Sequence, residues 1–259
     1  MNEKSQYSSP AVEKAFAVLE LISHHRNGLR MTDVIEQLSL PKTSTFVLLR
    51  SLEKMGYLMA DPDNCYRLTM RLFEIGMRAM NQVDIIAVAR PYLDRLVEET
   101  GLTAHLASVE SGDAVYLARR DAPGLVRFDT YVGKRTPAHL TAVGKAVLAH
   151  LSGDELDLLL PKLDFAAGTT RAVRSPDRLR VELAKIQKAG YAVEDGEEVE
   201  GVRCVAAPVL QHDGRVVASV GVIQLQTALS DDRLPAVAAE LVRTARAIGQ
   251  VLVAKAETG

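Results

Sequence analysis

Apolar residues recur at helical spacing through residues 10–55 and 72–100, and in strand-like runs from residue 102 onward. In residues 10–24, Val12, Phe16, Leu19 and Ile22 fall on one stripe. Ser9 suits the cap of that helix, and Pro10 suits its first position, where no backbone N–H is needed. A short second helix is predicted over residues 32–38, with Thr32 as cap, Asp33 at the positive end, and Val34, Ile35 and Leu38 facing inward. Ser39-Leu40-Pro41 breaks the chain and restarts it as a third helix over residues 41–54, which Gly56 ends. Residues 57–60 and 65–68 read as two strands around the turn Asp61-Pro62-Asp63-Asn64. Helix, turn, helix and two-stranded wing is the layout of a winged helix-turn-helix.

The second half has a different texture. Residues 72–100 are almost all helix-compatible. Pro91 predicts a break between residues 82–89 and 91–99, and Gly101 is a stop. Val83, Ile86, Ala87 and Leu93 give this segment an apolar side suited to a connector and dimerisation surface. Strands over residues 102–110 and 114–121 flank the hairpin signal Ser111-Gly112-Asp113, and residues 125–132 predict a further strand. Residues 141–151 read as a helix, Ser152 to Glu155 as a capping box opening another, and Ser175-Pro176 as the start of a helix ending at Gly190. Two long strands, 201–210 and 215–225, join through Gln211–Gly214, and an amphipathic helix covers 234–254. Hairpin strands with helices around them predict an α+β fold with a mostly antiparallel sheet. The expected organisation is a winged helix-turn-helix domain at 8–76, a connector at 77–100 and a second domain at 101–257.

The third helix carries the most pointed chemistry. At 100° per residue, Thr45, Leu48, Leu49, Leu52 and Met55 share one side. Thr43, Val47, Arg50 and Lys54 share the other, with Lys42, Ser44 and Phe46 on the flanks. The hydroxyls of Thr43, Ser44 and Thr45 near its start suit phosphates and base edges. Lys42, Arg50 and Lys54 suit phosphate or guanine, Val47 stands among them, and Arg67 on the wing suits the backbone. Double-stranded DNA is the partner this face implies. A helical module that binds protein is the competing reading. Residues 1–75 hold nine Lys/Arg against nine Asp/Glu, so any basic footprint is local.

Composition narrows the classes further. The chain has 259 residues, 47% hydrophobic and 25% charged, with a net charge of −2, as expected of a globular protein with two domains and no general polyanion affinity. No apolar run is long enough to span a bilayer and no secretory pattern opens the chain. Cys65 and Cys204 fall in different predicted domains and form no disulfide framework or zinc spacing, which fits a reducing cytoplasm. No dinucleotide, phosphate-loop or zinc-protease signature occurs, so no cofactor or metal is expected. Gly144-Lys145 lacks the flanking residues of a phosphate loop, with His139 and Ala146 at the diagnostic positions. The cluster Glu194, Asp195, Glu197, Glu198, Glu200 reads as a solvated loop rather than a metal site.

Five segments together carry a family resemblance: LSLPKTSTFVLLRSLEKMGYL, CYRLTMRLFEIG, VGKRTPAHLTAVGKAVLAHL, KAGYAVEDGEEVEGVRCVAAPV and DGRVVASVGV. In this order they resemble the IclR family of bacterial transcription regulators over essentially the full chain. The resemblance implies a GAF-like second domain that binds a small organic or aromatic acid, and a dimer or dimer of dimers reading a near-palindromic operator. It places the effector pocket at Leu125 and Phe128, at Ala142 and Val143 where helix N–H groups can receive a carboxylate, at Glu194 and Cys204, and at Gly221 and Ile223. Relatives that bind very small oxo-acids tend to carry serines where this chain has Gly221 and Ile223. With Phe128 and Val143, that change implies a more apolar, roomier pocket and a larger effector. The family often has Arg where Val47 stands, which implies a different operator. An enzymatic alternative would use Glu194 as base and Cys204 as nucleophile, but no base partner for Cys204 is visible.

Overall fold

The structure is a computed structural model that describes residues 9–75 and 85–256, with side chains to 252. It divides into two compact units, one ending at Val83 and one starting at Asp84. The predicted domain boundary at 76/77, residues 82–84 of the predicted helix, and Val83 with them, lie outside the described residues.

Unit 1 runs α1 (Pro10–Ser23), β1 (Leu29–Arg30), α2 (Met31–Leu38), α3 (Lys42–Lys54), β2 (Leu58–Ala60) and β3 (Cys65–Leu68). Its core is Val18, Leu19, Ile22, Leu29, Val34, Leu49, Leu52, Leu58 and Tyr66. The expected α1 stripe is rotated: Val12 and Phe16 are exposed, and Val18 joins Leu19 and Ile22 inside. The cap of α2 is Arg30 rather than Thr32, because Asp33 reaches back to accept the Arg30 N–H at 2.9 Å. Ser39 then takes a left-handed conformation (φ 50°) that turns the chain into α3. The wing has three strands in the order β1-β3-β2, so the short β1 is an addition to the expected pair. Its turn is held by Asp61, whose carboxylate accepts from the N–H groups of Asp63 (3.0 Å) and Cys65 (2.9 Å). Those bonds, the Cys65 one foremost, hold the carboxyl below its ordinary range.

Unit 2 opens with α4 (Ile85–Thr100), an unbroken helix that carries Pro91 within it. Proline removes one helix hydrogen bond but does not end this helix, because tertiary burial outweighs that loss. Ile85, Ile86, Val88, Ala89, Leu93 and Leu96 are all buried. Ile86 and Leu93, expected on a dimerisation surface, are therefore spent inside unit 2, while Ala87 is exposed. Six antiparallel strands follow: β4 (Thr103–Glu110), β5 (Asp113–Arg120), β6 (Arg135–Pro137), β7 (Ala192–Asp195), β8 (Val202–Leu210) and β9 (Val216–Leu225), in the order β6-β5-β4-β9-β8-β7. Between them lie α5 (Ala142–Leu148), α6 (Gly153–Leu159) and α7 (Pro176–Ala189), and α8 (Leu234–Ala256) ends the chain. α4 and α8 pack together and on the sheet, and α5 packs on β4, β7, β8 and β9. Residues 205–209 and 218–223 are buried without alternation, as strands covered on both faces are.

Most predicted unit 2 elements are present. Ser152 and Glu155 form the reciprocal capping box of α6, and Ser175 caps α7, which ends on left-handed Gly190 (φ 78°). Residues 125–132 are not a strand. They belong to a loop before β6, with Val126 and Tyr131 exposed. β6 and β7 were not anticipated.

Candidate functional site

In unit 1 the outer face of α3 is set by what its inner face must bury. Thr45, Leu49 and Leu52 pack inward, which turns Lys42, Thr43, Phe46, Val47, Arg50 and Lys54 outward. Thr45 is a correction to the predicted DNA-binding set: it is fully buried and its hydroxyl donates to the Pro41 carbonyl at 3.0 Å. Ser44 is half-buried and donates to the same carbonyl at 2.9 Å. Met55, expected inside, is exposed. Arg50 is already engaged: it pairs with Glu53 at 2.7 Å and its guanidinium lies 5.9 Å from the centre of the Phe46 ring. Arg67 on β3 pairs with Asp61 at 3.1 Å. The i,i+3 spacing of Arg50 and Glu53 was visible in the sequence, yet the pairing was not anticipated.

In unit 2 strand register assembles the second site. Glu194 lies opposite Cys204, Cys204 opposite Ile223, Ala206 opposite Gly221, and Gly221 opposite His105. α5 closes over this face. The turn Ala138–Leu140 folds tightly against the start of α5 because Gly144 has no side chain; a Cβ there would lie 2.2 Å from the Ala138 carbonyl oxygen. Between α5 and the sheet lies a small cavity of about 10 Å³ lined by His105, Tyr116, Thr141, Ala142, Val143, Cys204, Gly221, Val222 and Ile223. That is room for roughly one water.

Five of the eight predicted effector residues therefore meet: Ala142, Val143, Cys204, Gly221 and Ile223. Glu194 is buried beside them, opposite Cys204 in the strand register. Leu125 does not line this cavity. It stands fully exposed in the loop that replaces the predicted strand, and Phe128 in the same loop does not line the cavity. The expected space beside Gly221 is filled, since a Cβ there would lie 2.8 Å from Val143 Cγ1. Thr141 caps α5 by accepting the Gly144 N–H at 3.0 Å, which occupies one of the N–H groups offered to a carboxylate. Tyr116, Thr141 and Val222 were missed; the alternation of β5 and the cap position of α5 carry a signal for the first two, and the unalternating β9 carries none for Val222.

The polar groups around the cavity are unusually dry. Burial drives His105 down to about 3, and its Nε2 meets Thr130 Oγ1 at 2.9 Å, so the ring is neutral. Burial holds the Glu194 carboxyl above its ordinary range, partly offset by the Glu197 (2.5 Å) and Glu198 (3.2 Å) N–H groups it accepts. Burial, then the neighbouring Glu194, pushes the Cys204 thiol well up. A thiol held protonated, beside a carboxyl rather than a base-competent histidine, is poorly made for nucleophilic attack. Lys145 is fully buried with its ammonium 2.6 Å from both Glu182 and Glu197, a structural role rather than a phosphate-loop one. Among the described residues no cluster of His, Cys, Asp or Glu can hold a metal, and no helix is long and apolar enough to cross a membrane.

A winged helix-turn-helix joined to an α+β domain with a small cavity defines a DNA-binding transcription regulator. The IclR helix-turn-helix domain matches residues 11–62, and the C-terminal domain of the bacterial transcriptional regulator IclR matches residues 77–250. The chain belongs to the IclR family. It is 32% identical to the HTH-type transcriptional regulator XynR of Escherichia coli strain K12, over 93% of this chain and 96% of that protein. A transcriptional regulator from Rhodococcus sp. RHA1 superposes with a TM-score of 0.82 at 27% identity, over 96% of this chain and 100% of the other. An IclR homologue from Microbacterium hydrocarbonoxydans, complexed with 4-hydroxybenzoate, also gives 0.82, over 94% and 99% of the chains; at 24% identity that likeness is one of fold.

Proposed function

We propose that this regulator reads a near-palindromic operator as a dimer or dimer of dimers in the cytoplasm, and that a small apolar carboxylate controls it. The observation that carries the DNA half is the outer face of α3, where Lys42, Thr43, Val47, Arg50 and Lys54 stand free of the core. Two such helices in a symmetric assembly would enter successive major grooves. Joint replacement of Lys42, Thr43 and Lys54 by alanine should weaken operator binding in a mobility-shift assay and leave effector binding intact. Unchanged operator affinity would remove α3 as the reader.

The effector half rests on the cavity walls of Ala142, Val143, Val222 and Ile223. Apolar walls with a few polar groups suit a branched or aromatic acid, and a protein of this fold is known with 4-hydroxybenzoate. The cavity is too small to hold such a ligand as it stands, so binding must move Val143 or a neighbouring wall. A ligand that binds only the opened arrangement shifts the population toward it, which is the requirement for control. Calorimetric titration with a metabolite panel tests this. Tight binding of a two- or three-carbon oxo-acid, with none of any aromatic or branched acid, overturns the effector class.

A further inference from the structure

The outer face of α3 is unusual in placing two apolar side chains beside its cations. Phe46 is 49% and Val47 57% exposed, and neither joins the core of unit 1. Both lie in the N-terminal half of the helix, the part that approaches base edges when such a helix enters the major groove. Arg50, the nearest cation, is drawn aside: its guanidinium bridges the Phe46 ring and the Glu53 carboxylate. The centre of the reading face is thereby left to Thr43 and Val47. A valine has no hydrogen-bond donor or acceptor, so it can recognise only an apolar feature of the groove. The major groove presents one such feature, the C5-methyl group of thymine.

We infer that Val47, with Phe46 beside it, reads thymine methyl groups, so that each operator half-site holds a thymine facing this pair. The inference rests on α3 being the DNA reader. Val47 gains by leaving water against a methyl group, and it is penalised against guanine or adenine edges, whose polar atoms it would desolvate without a partner. Specificity at this step then comes from rejection as well as attraction.

The test uses the full chain and duplexes selected by it from a random-sequence pool. In the best duplex each thymine is replaced in turn by deoxyuridine, which removes the methyl group and nothing else. Loss of one buried methyl should weaken binding about fourfold at one or two positions per half-site, and be silent elsewhere. Val47→Ala, at an exposed position where folding is not at stake, should abolish that sensitivity. Val47→Arg should move the preferred base at that position from thymine to guanine. Binding that is indifferent to uracil at every position overturns the inference and leaves α3 as reader. Failure of the pool to yield any preferred sequence overturns the reading of α3 itself, and the inference with it.

Discussion

The two units put their polar chemistry in opposite places. In unit 1 the groups that face a partner stand in water: Arg50 is 58% exposed in its side chain, and its pairing with Glu53 is a surface ion pair. In unit 2 the Lys145 side chain is 0% exposed between Glu182 and Glu197, and His105 and Glu194 are equally enclosed. Exposed pairs contribute under about 1 kcal/mol, whereas removing one partner of a buried pair costs about 3–5 kcal/mol. The reading face of α3 is therefore free to change without a folding cost. His105, which lines the cavity, and Glu194 beside it belong to that buried interior, so the chemistry of the cavity changes only together with stability.

The largest expected effect tests that contrast directly. Lys145→Met leaves two carboxylates without their cation and should cost unit 2 about 3–5 kcal/mol, read by scanning calorimetry. Adding Glu197→Gln should recover part of the loss, since the penalty is the stranded charge rather than the missing contact. Arg50→Ala should leave the melting of unit 1 within about 0.5 kcal/mol of its starting value. Equal losses from the two substitutions would erase the distinction.

The next effect is a pH dependence with opposed signs. His105 is neutral in the folded chain, its value lowered to about 3, whereas an unfolded histidine protonates near 6.5. The unfolded chain thus binds the extra proton, and stability falls as pH drops from 6.5 toward 3, by about 1.4 kcal/mol per pH unit. Glu194 runs the other way. Its folded value is raised above 4.5 by burial, so its contribution is complete below 4.5 and is lost as pH rises through the folded value. His105→Gln should flatten the acid limb of a stability–pH curve, and Glu194→Gln should raise stability most at neutral pH. An acid limb that keeps its slope in His105→Gln would mean that the ring is charged in the folded chain.

Much of this was legible in the sequence, and the failures are specific. Helix caps and hairpin turns are local, so Ser152, Ser175 and the Ser111-Gly112 turn were readable where they stand. The face of α3 was readable because its inner side is apolar, but Thr45 was counted as a DNA contact although it steps with Leu49 and Leu52. Burial of a hydroxyl depends on the Pro41 carbonyl that it meets, which spacing does not show. Residues 125–132 have strand-like composition but no partner strand to pair with, and Leu125 does not line the cavity for that reason. Gly221 reads as empty space in one dimension; only the register and the approach of α5 reveal that Val143 fills it.

Val143 gives the smaller effect within unit 2. Val143→Ala removes two buried methyl groups and should cost about 1.5 kcal/mol. It should also enlarge the cavity and tighten binding of an aromatic acid, because less wall has to move. Loss of stability with no gain in affinity would show that Val143 is core rather than gate, and that the ligand enters elsewhere.

The smallest effect belongs to unit 1 and is read in salt dependence rather than stability. Glu53→Gln releases Arg50 from its helix partner at a cost under about 1 kcal/mol. A freed guanidinium four residues from Phe46 can reach a phosphate, and each added phosphate contact steepens the slope of log K against log salt by about 0.9. Glu53→Gln should therefore bind operator more tightly at low salt, lose that advantage as salt rises, and leave the thymine preference at Val47 unaltered. An unchanged salt slope would mean that Arg50 already contacts DNA with Glu53 in place. The reading face would then be cationic at its centre, and the contrast between a tunable surface and a committed interior would rest on Val47 alone.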